Sequence, residues 1–229
     1  MPARCRIVRA AMPETFPTRT VYLAGELFSA KHLAGNAALA EHLACVSGSR
    51  FRCLLPQDLA QGDSPRSIRD QDLRTLLASD AAIFHYDGVE LDSGTVVEYL
   101  YAKFADIPAV LLRTDFRHGG DQKEGDPWNL MTSFYPRTAT VLVHSMELYH
   151  EHLRQGLSSS LAADAVIRLT AEKLSAALDA VLAAPPVLPA GIGPAVYDWL
   201  ALMPGSPDSA AARQEAARFH REKVAKGLL

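Results

Sequence analysis

The chain has 229 residues, is 48% hydrophobic and 21% charged, and carries a formal net charge of −3 at neutral pH. That is enough for one good-sized domain with its own core. With no basic block in the sequence, neither nucleic acid nor an anionic membrane is expected as a partner.

The three cysteines, Cys5, Cys45 and Cys53, form no Cys-x-x-Cys pair. An odd, scattered set points to free thiols in a reducing compartment. Arg4, Arg6 and Arg9 are not followed by an apolar run, because Pro13, Glu14 and Pro17 intervene. This argues against a secretory signal. The apolar stretch 178–200 is broken by Pro185, Pro186, Pro189 and Pro194, so it does not read as a membrane-spanning helix. A cytoplasmic location is the expectation.

Short β-like runs alternate with helical runs along the chain. TVYLA (20–24) reads as a buried strand and AKHLAGNAALAEHLA (30–44) as a helix. FRCLL (51–55) is strand-like and stops at Pro56. Residues 66–78 place Ile68, Leu73, Leu76 and Leu77 at helical spacing. AAIFHY (81–86) is a third strand, and a helix follows from about Gly94 to Ala105. AVLLR (109–113) and ATVLVH (139–144) are the fourth and fifth strands, and helical sequence runs from 145 to 183.

Strands alternating with helices imply a parallel sheet covered on both faces. The predicted fold is α/β, a doubly wound, flavodoxin- or Rossmann-like five-stranded parallel sheet over residues 19–184. Residues 1–18 are an N-terminal extension, and 185–229 are a Pro/Gly-rich linker and a helical tail. Within the tail, Trp199, Leu200 and Leu202 form an apolar face for docking on the domain or on a neighbouring subunit. In such sheets ligands bind beyond the carboxyl ends of the strands, here segments 24–29, 56–64, 86–93 and 113–131.

The stretch GVELDSGTVVEYLYA (88–102) puts one acid, Glu98, among Val96, Val97, Leu100 and Tyr101. A charge in such company is costly unless paired or used. Asp92 or Ser93 is placed to cap the helix. Side chains on a helix lean back toward its N-terminus, so Glu98 is expected to lean over Gly94 toward the ligand crevice. The helix dipole should favour its ionised form. With Asp92 nearby, two carboxylates in one pocket are the minimum equipment for glycosyl chemistry.

Three blocks of sequence, VYLAGELFS (21–29), DGVELDSGTVVEYLYA (87–102) and PWNLM (127–131), resemble the nucleoside 2-deoxyribosyltransferase family. With IRDQDL (68–73), the resemblance spans residues 20–145 in order. It implies a pentosyltransferase of nucleoside salvage that needs no cofactor or metal and exchanges a free nucleobase onto a 2′-deoxyribonucleoside. Glu98 matches the nucleophile that forms a covalent deoxyribosyl-enzyme, with net retention. Tyr22 matches the tyrosine that holds that carboxylate. Asp72 matches the acid that exchanges a proton with the base, and Asp92 a contact to sugar or base.

Asn129 and Met131 match residues that reach the sugar from an adjacent subunit, so a homo-oligomer, dimer or higher, with shared active sites is implied. Gly25, Phe28, Gln57, Asp58, Asp87 and Ser93 fall at substrate-lining positions. Glu26 and Leu100 depart from the family's usual proline and glycine.

Other features carry less. The eight histidines show no metal spacing, since His150 and His152 face apart on a helix. His85 ends a strand, in the core, behind the pocket or lining it. HGGDQKEGDP (118–127) lacks the Walker order and reads either as a mobile loop over the site or as a plain surface loop. Ser93 has no recognisable His and Asp partners for a triad. Residues 213–223 read as a solvated helix face. Two other readings stay open: an N-glycoside hydrolase of nucleosides or 5′-nucleotides from the same superfamily, and a non-catalytic nucleotide-binding protein on this fold.

Overall fold

The computed structural model describes residues 17–60, 62–117, 125–206 and 208–229. The first sixteen residues of the N-terminal extension, and most of the 118–127 loop, lie outside the described residues.

Five strands form one all-parallel sheet: β1 (Arg19–Ala24), β2 (Phe51–Leu54), β3 (Ala81–His85), β4 (Ala109–Arg113) and β5 (Thr138–Leu142). Their order is β2-β1-β3-β4-β5, the flavodoxin-like arrangement. Each strand is four to six residues long, and β3 and β4 are buried along almost their whole length. The period of two sorts their side chains onto two faces.

Tyr22, Ala24, Ala82, Phe84, Ala109 and Leu111 face one layer, with α2 (Pro65–Ala78) and α3 (Ser93–Phe104). Val21, Leu23, Ala81, Ile83, Val110 and Leu112 face the other, with α1 (Ala30–Val46) and α5 (Ser159–Ala183). Glycine at position 25 lets β1 and β3 converge at their carboxyl ends, since a Cβ there would lie 2.9 Å from the Cβ of His85.

Helix starts follow the cap chemistry in the sequence. The Ser64 side chain accepts from the Ser67 amide in a reciprocal capping box, with Pro65 at the first helical position of α2. Asp92 caps α3 through the Thr95 amide at 2.8 Å. The long helical run expected over 145–183 is two helices, α4 (Ser145–Arg154) and α5, divided where Gly156 takes a left-handed φ of +87°.

Cys53 on β2 is a free thiol, pushed up to about 12 by burial, but Cys45 near the end of α1 is disulfide-bonded. The expectation of free thiols is therefore corrected at Cys45. Count and spacing cannot reveal which cysteines become neighbours in space.

The tail comprises α6 (Gly193–Leu202) and α7 (Ser209–Ala225), and it docks on the α2/α3 layer. Tyr197, Leu200, Ala216 and Phe219 join the same core cluster as Tyr22 and Tyr99. The Tyr101 hydroxyl donates to the Leu200 carbonyl at 2.7 Å, and Tyr197 donates to Ala105 at 3.1 Å. Asp106 anchors the linker by accepting from the Val187 and Leu188 amides at 2.7 and 2.9 Å. Of the expected docking face, Leu200 is buried, whereas Trp199 is 63% exposed.

Candidate active site

At the carboxyl edge of the sheet, on the α2/α3 side, four sequence-predicted residues come together. Tyr22 is fully buried on β1 and sends its hydroxyl up to Glu98 Oε1, at 2.6 Å. Asp72 projects from α2 close enough to act electrostatically on both. Asp92, at the start of α3, adds a second negative charge near Glu98.

The Glu98 carboxyl is pushed up to about 7. Burial is the main cause, the charges of Asp72 and Asp92 add to it, and the hydrogen bond from Tyr22 opposes it. Asp72 is pushed up to about 6 by burial. Tyr22 is held far above the ordinary phenol range, first by burial and then by Glu98. It therefore stays a hydrogen-bond donor at any working pH. The result is a partly buried pair of carboxyls, Glu98 and Asp72, both raised toward neutrality, suited to a carboxylate that attacks and a carboxyl that gives and takes a proton.

One local expectation is corrected. Glu98 is the sixth residue of α3, beyond the first turn where the helix dipole acts, so burial wins and the carboxyl is raised. A Cβ at Gly94 would meet Asp92 Oδ2 at 3.1 Å. The missing side chain makes room for the Asp92 cap, whose Oδ2 also accepts from the buried Thr95 hydroxyl at 2.8 Å. The sequence reading passed over Thr95, although an Asp three residues before a Thr at a helix start is the signature of such a cap.

Other predicted residues lie elsewhere. Asp87 accepts from the Thr114 amide at 2.6 Å, the Asp115 amide at 3.0 Å and the Thr114 hydroxyl. It also lies 3.0 Å from His85 Nε2. Burial alone would raise its carboxyl, but His85 and Thr114 outweigh that and hold it well below the usual carboxylate range. Asp87 thus ties the ends of β3 and β4 together and has no contact with Glu98 among the described interactions.

Gln57 braces α1, donating to the Leu33 carbonyl at 3.0 Å and accepting from Asn36 at 3.3 Å. Asp58 is exposed, and Phe28 is 72% exposed on the loop after β1. The unexpected acid Glu26 lies 3.2 Å from His32 Nε2.

Asn129 caps a short turn by accepting from the Met131 amide at 2.9 Å. Together with Met131, Ser93, Val96, Val97 and Trp128 it lines a cavity of about 590 Å³. At about 100° per residue, Ser93 and Val96 point roughly opposite to Glu98 on α3, and Val97 about 100° away from it. Within one chain, then, Asn129 and Met131 lie across α3 from the acid cluster. Met131 and Phe134 are 68% and 82% exposed there.

Among the described residues, no group of three or more His, Cys, Asp or Glu could hold a metal ion. No described helix is long and apolar enough to cross a membrane.

Comparison with known proteins bears on this arrangement. Residues 21–131 match the family model described as nucleoside 2-deoxyribosyltransferase, and all four clustered residues fall inside that span. No curated protein matches the chain. Among solved structures, a conserved protein from Enterococcus faecalis V583 is 27% identical, covering 61% of this chain and 99% of that one, with a TM-score of 0.47. The 2-desoxiribosyltransferase from Leishmania mexicana is 25% identical, covering 60% and 97%, with a TM-score of 0.43.

Proposed function

We propose that the chain is a transferase of the nucleoside 2-deoxyribosyltransferase type, working through a covalent intermediate on Glu98. The single observation that carries this reading is the 2.6 Å bond from buried Tyr22 to Glu98 Oε1, beside Asp72 in a site withdrawn from water.

Tyr22 occupies Oε1, and Oε2 is the attacking atom. As Oε2 forms a bond to C1′ of the deoxyribose, the C1′–N bond breaks and its electron pair goes to the departing base. Asp72, whose carboxyl is pushed up to about 6, gives that base a proton from its protonated form. A second nucleobase then attacks C1′ through a ring nitrogen, the ester bond to Glu98 breaks, and Asp72 takes the proton released. Two inversions give net retention.

The transition state has oxocarbenium character. An electron-withdrawing 2′-hydroxyl destabilises it, which favours 2′-deoxy donors.

The placement of Asn129 and Met131 across α3 from Glu98 supports a homo-oligomer in which they serve a neighbour's site. Mixing an inactive Glu98→Gln protein with an Asn129→Ala protein should then restore part of the activity, through hybrid sites with both residues intact. No restoration in subunit-exchanged mixtures would sink the shared site.

The reaction itself is tested by chromatography of purified protein with deoxyinosine and adenine. Deoxyadenosine is the expected product. Hypoxanthine release without deoxyadenosine would overturn transfer in favour of hydrolysis.

A further inference from the structure

We propose that the C-terminal helices α6 and α7 are the positioning element for Asp72, acting on α2 from behind through the buried amino group of Lys223. The catalytic side of this inference rests on the transferase reading above. The geometry of α2 does not.

α2 lies between two different surroundings. Asp72 points into the acid cluster. On the opposite side of the helix, Asp70, Arg74 and Leu77 face the tail. That side also borders a cleft of about 430 Å³ lined by Leu200, Ala212 and Phe219. Leu73, Leu76 and Leu77 pack α2 against the sheet, and polar ties to the tail fix its position along that surface.

The fixing is done at points along and beyond the helix. Arg69 donates to the Pro204 carbonyl at 2.6 Å, and Arg74 lies 3.5 Å from Glu215. At the far end, Lys223 Nζ donates to the carbonyl of Ser79, the C-cap of α2. Lys226 Nζ lies 2.6 Å from Asp80 Oδ1, and Asp80 Oδ2 accepts from the Thr20 amide of β1 at 2.9 Å. α7 thus ties the end of α2 to the two central strands.

Lys223 is only 3% exposed. Its amine is lowered to about 7, mainly by burial, with Asp80 opposing. Lys226, Arg137 and Glu222 are the other charges acting on it. If the contact served stability alone, an apolar side chain of similar size would do as well or better. A buried amino group hydrogen-bonded to one carbonyl instead selects one placement of the helix end. Asp72 sits two turns before Ser79, so a shift there moves Asp72 relative to Glu98 and Tyr22, the titratable groups that face it.

The test compares Lys223→Met, which keeps the bulk, with Lys223→Gln, which keeps a donor for Ser79. The Asp72 carboxyl is titrated by carbon-13 NMR in the Glu98→Gln background, so that it titrates without its neighbour's charge. In parallel, kcat and KM for base exchange are measured with Glu98 present.

Lys223→Met should bring the Asp72 titration down toward the ordinary carboxylate range by about one pH unit. It should lower kcat about tenfold, since small misplacements of reacting groups are costly, and change KM less than twofold. Lys223→Gln should restore most of both. A folded Lys223→Met protein with wild-type Asp72 titration overturns the proposal. If Met does not fold, Lys223→Gln decides: a titration differing from wild type by more than half a unit overturns it. A wild type with no exchange activity would sink the transferase reading, and the NMR comparison would still judge the placement of α2.

Discussion

Two carboxylate clusters sit at the same edge of the same sheet and behave in opposite ways. On the α1/α5 side, Asp87 is surrounded by donors: the Thr114 amide and hydroxyl, the Asp115 amide and His85. On the α2/α3 side, Glu98 has one strong donor, Tyr22, and two neighbouring acids. The first carboxyl is held well below its usual range and the second is pushed up to about 7. An acid whose lone pairs are filled holds structure together. An acid left in a dry place with too few donors is the one available for chemistry.

The largest effect separating the two should come from Glu98→Gln. Base exchange should fall at least about 10³-fold, as for loss of a covalent nucleophile, with the circular-dichroism spectrum unchanged. Steady-state kinetics on the folded variant checks this. Retention of a tenth of the activity would remove Glu98 from the mechanism.

Next in size is Asp87→Asn. Losing the charge that His85, Thr114 and Asp115 converge on should destabilise the fold by about 2 kcal/mol, after discounting for its partial exposure. Activity per folded molecule should survive. The sign is that of a depressed acid: its contribution is present above the ordinary Asp value of about 4 and fades as pH falls below it. Urea melts at pH 7 and pH 3 should therefore show a gap between wild type and variant that narrows at the lower pH.

Tyr22→Phe should cost about tenfold in kcat, the scale of one hydrogen bond to a charged group. Because the Tyr22 bond opposes the rise at Glu98, removing it should move the acid limb of the pH–rate profile upward. A profile unchanged in position would mean that Tyr22 does not hold the reacting carboxylate.

The smallest effect is on stability. Glu98 is a raised acid, so the folded state binds its proton more tightly than the unfolded chain does. Stability is full below about 4.5 and is lost as pH rises toward 7. Glu98→Gln should thus be more stable than wild type at pH 8 by about 1–2 kcal/mol, discounted for water at the mouth of the site. At pH 4 the two should melt together. Thermal melts at the two pH values give the answer.

How legible each region was depends on distance along the chain. The sheet and its helices showed in the sequence because periods of two and 3.6, and caps such as Ser64 and Asp92, are local signals. Glu98 showed as a lone acid in an apolar helix. Asp72 carries no such mark, since a carboxylate on a mixed helix face looks like any solvated residue, and only the resemblance picked it out.

The partners of Asp87 lie some 27 residues away, just past the next strand, so the sequence showed it as a pocket residue and not as the clamp it also is. Lys223 fell in a run that looked like a solvated face. Its burial depends on Ser79, 144 residues earlier, and no window of sequence contains both. The break at Gly156 is different: its glycine was in plain view, but the apolar period carried on through it.

The same long separation governs how the molecule is made. During synthesis all five strands and the helices that match the family model leave the ribosome long before α7 does. Until α7 arrives, the Leu73 and Leu77 side of α2 and the surface around Tyr101 face water. A half-made chain therefore carries an exposed sticky stripe beside its nascent active site, the kind of surface that draws chaperones or aggregation partners. α7 covers a wound left by α2, made about 130 residues earlier.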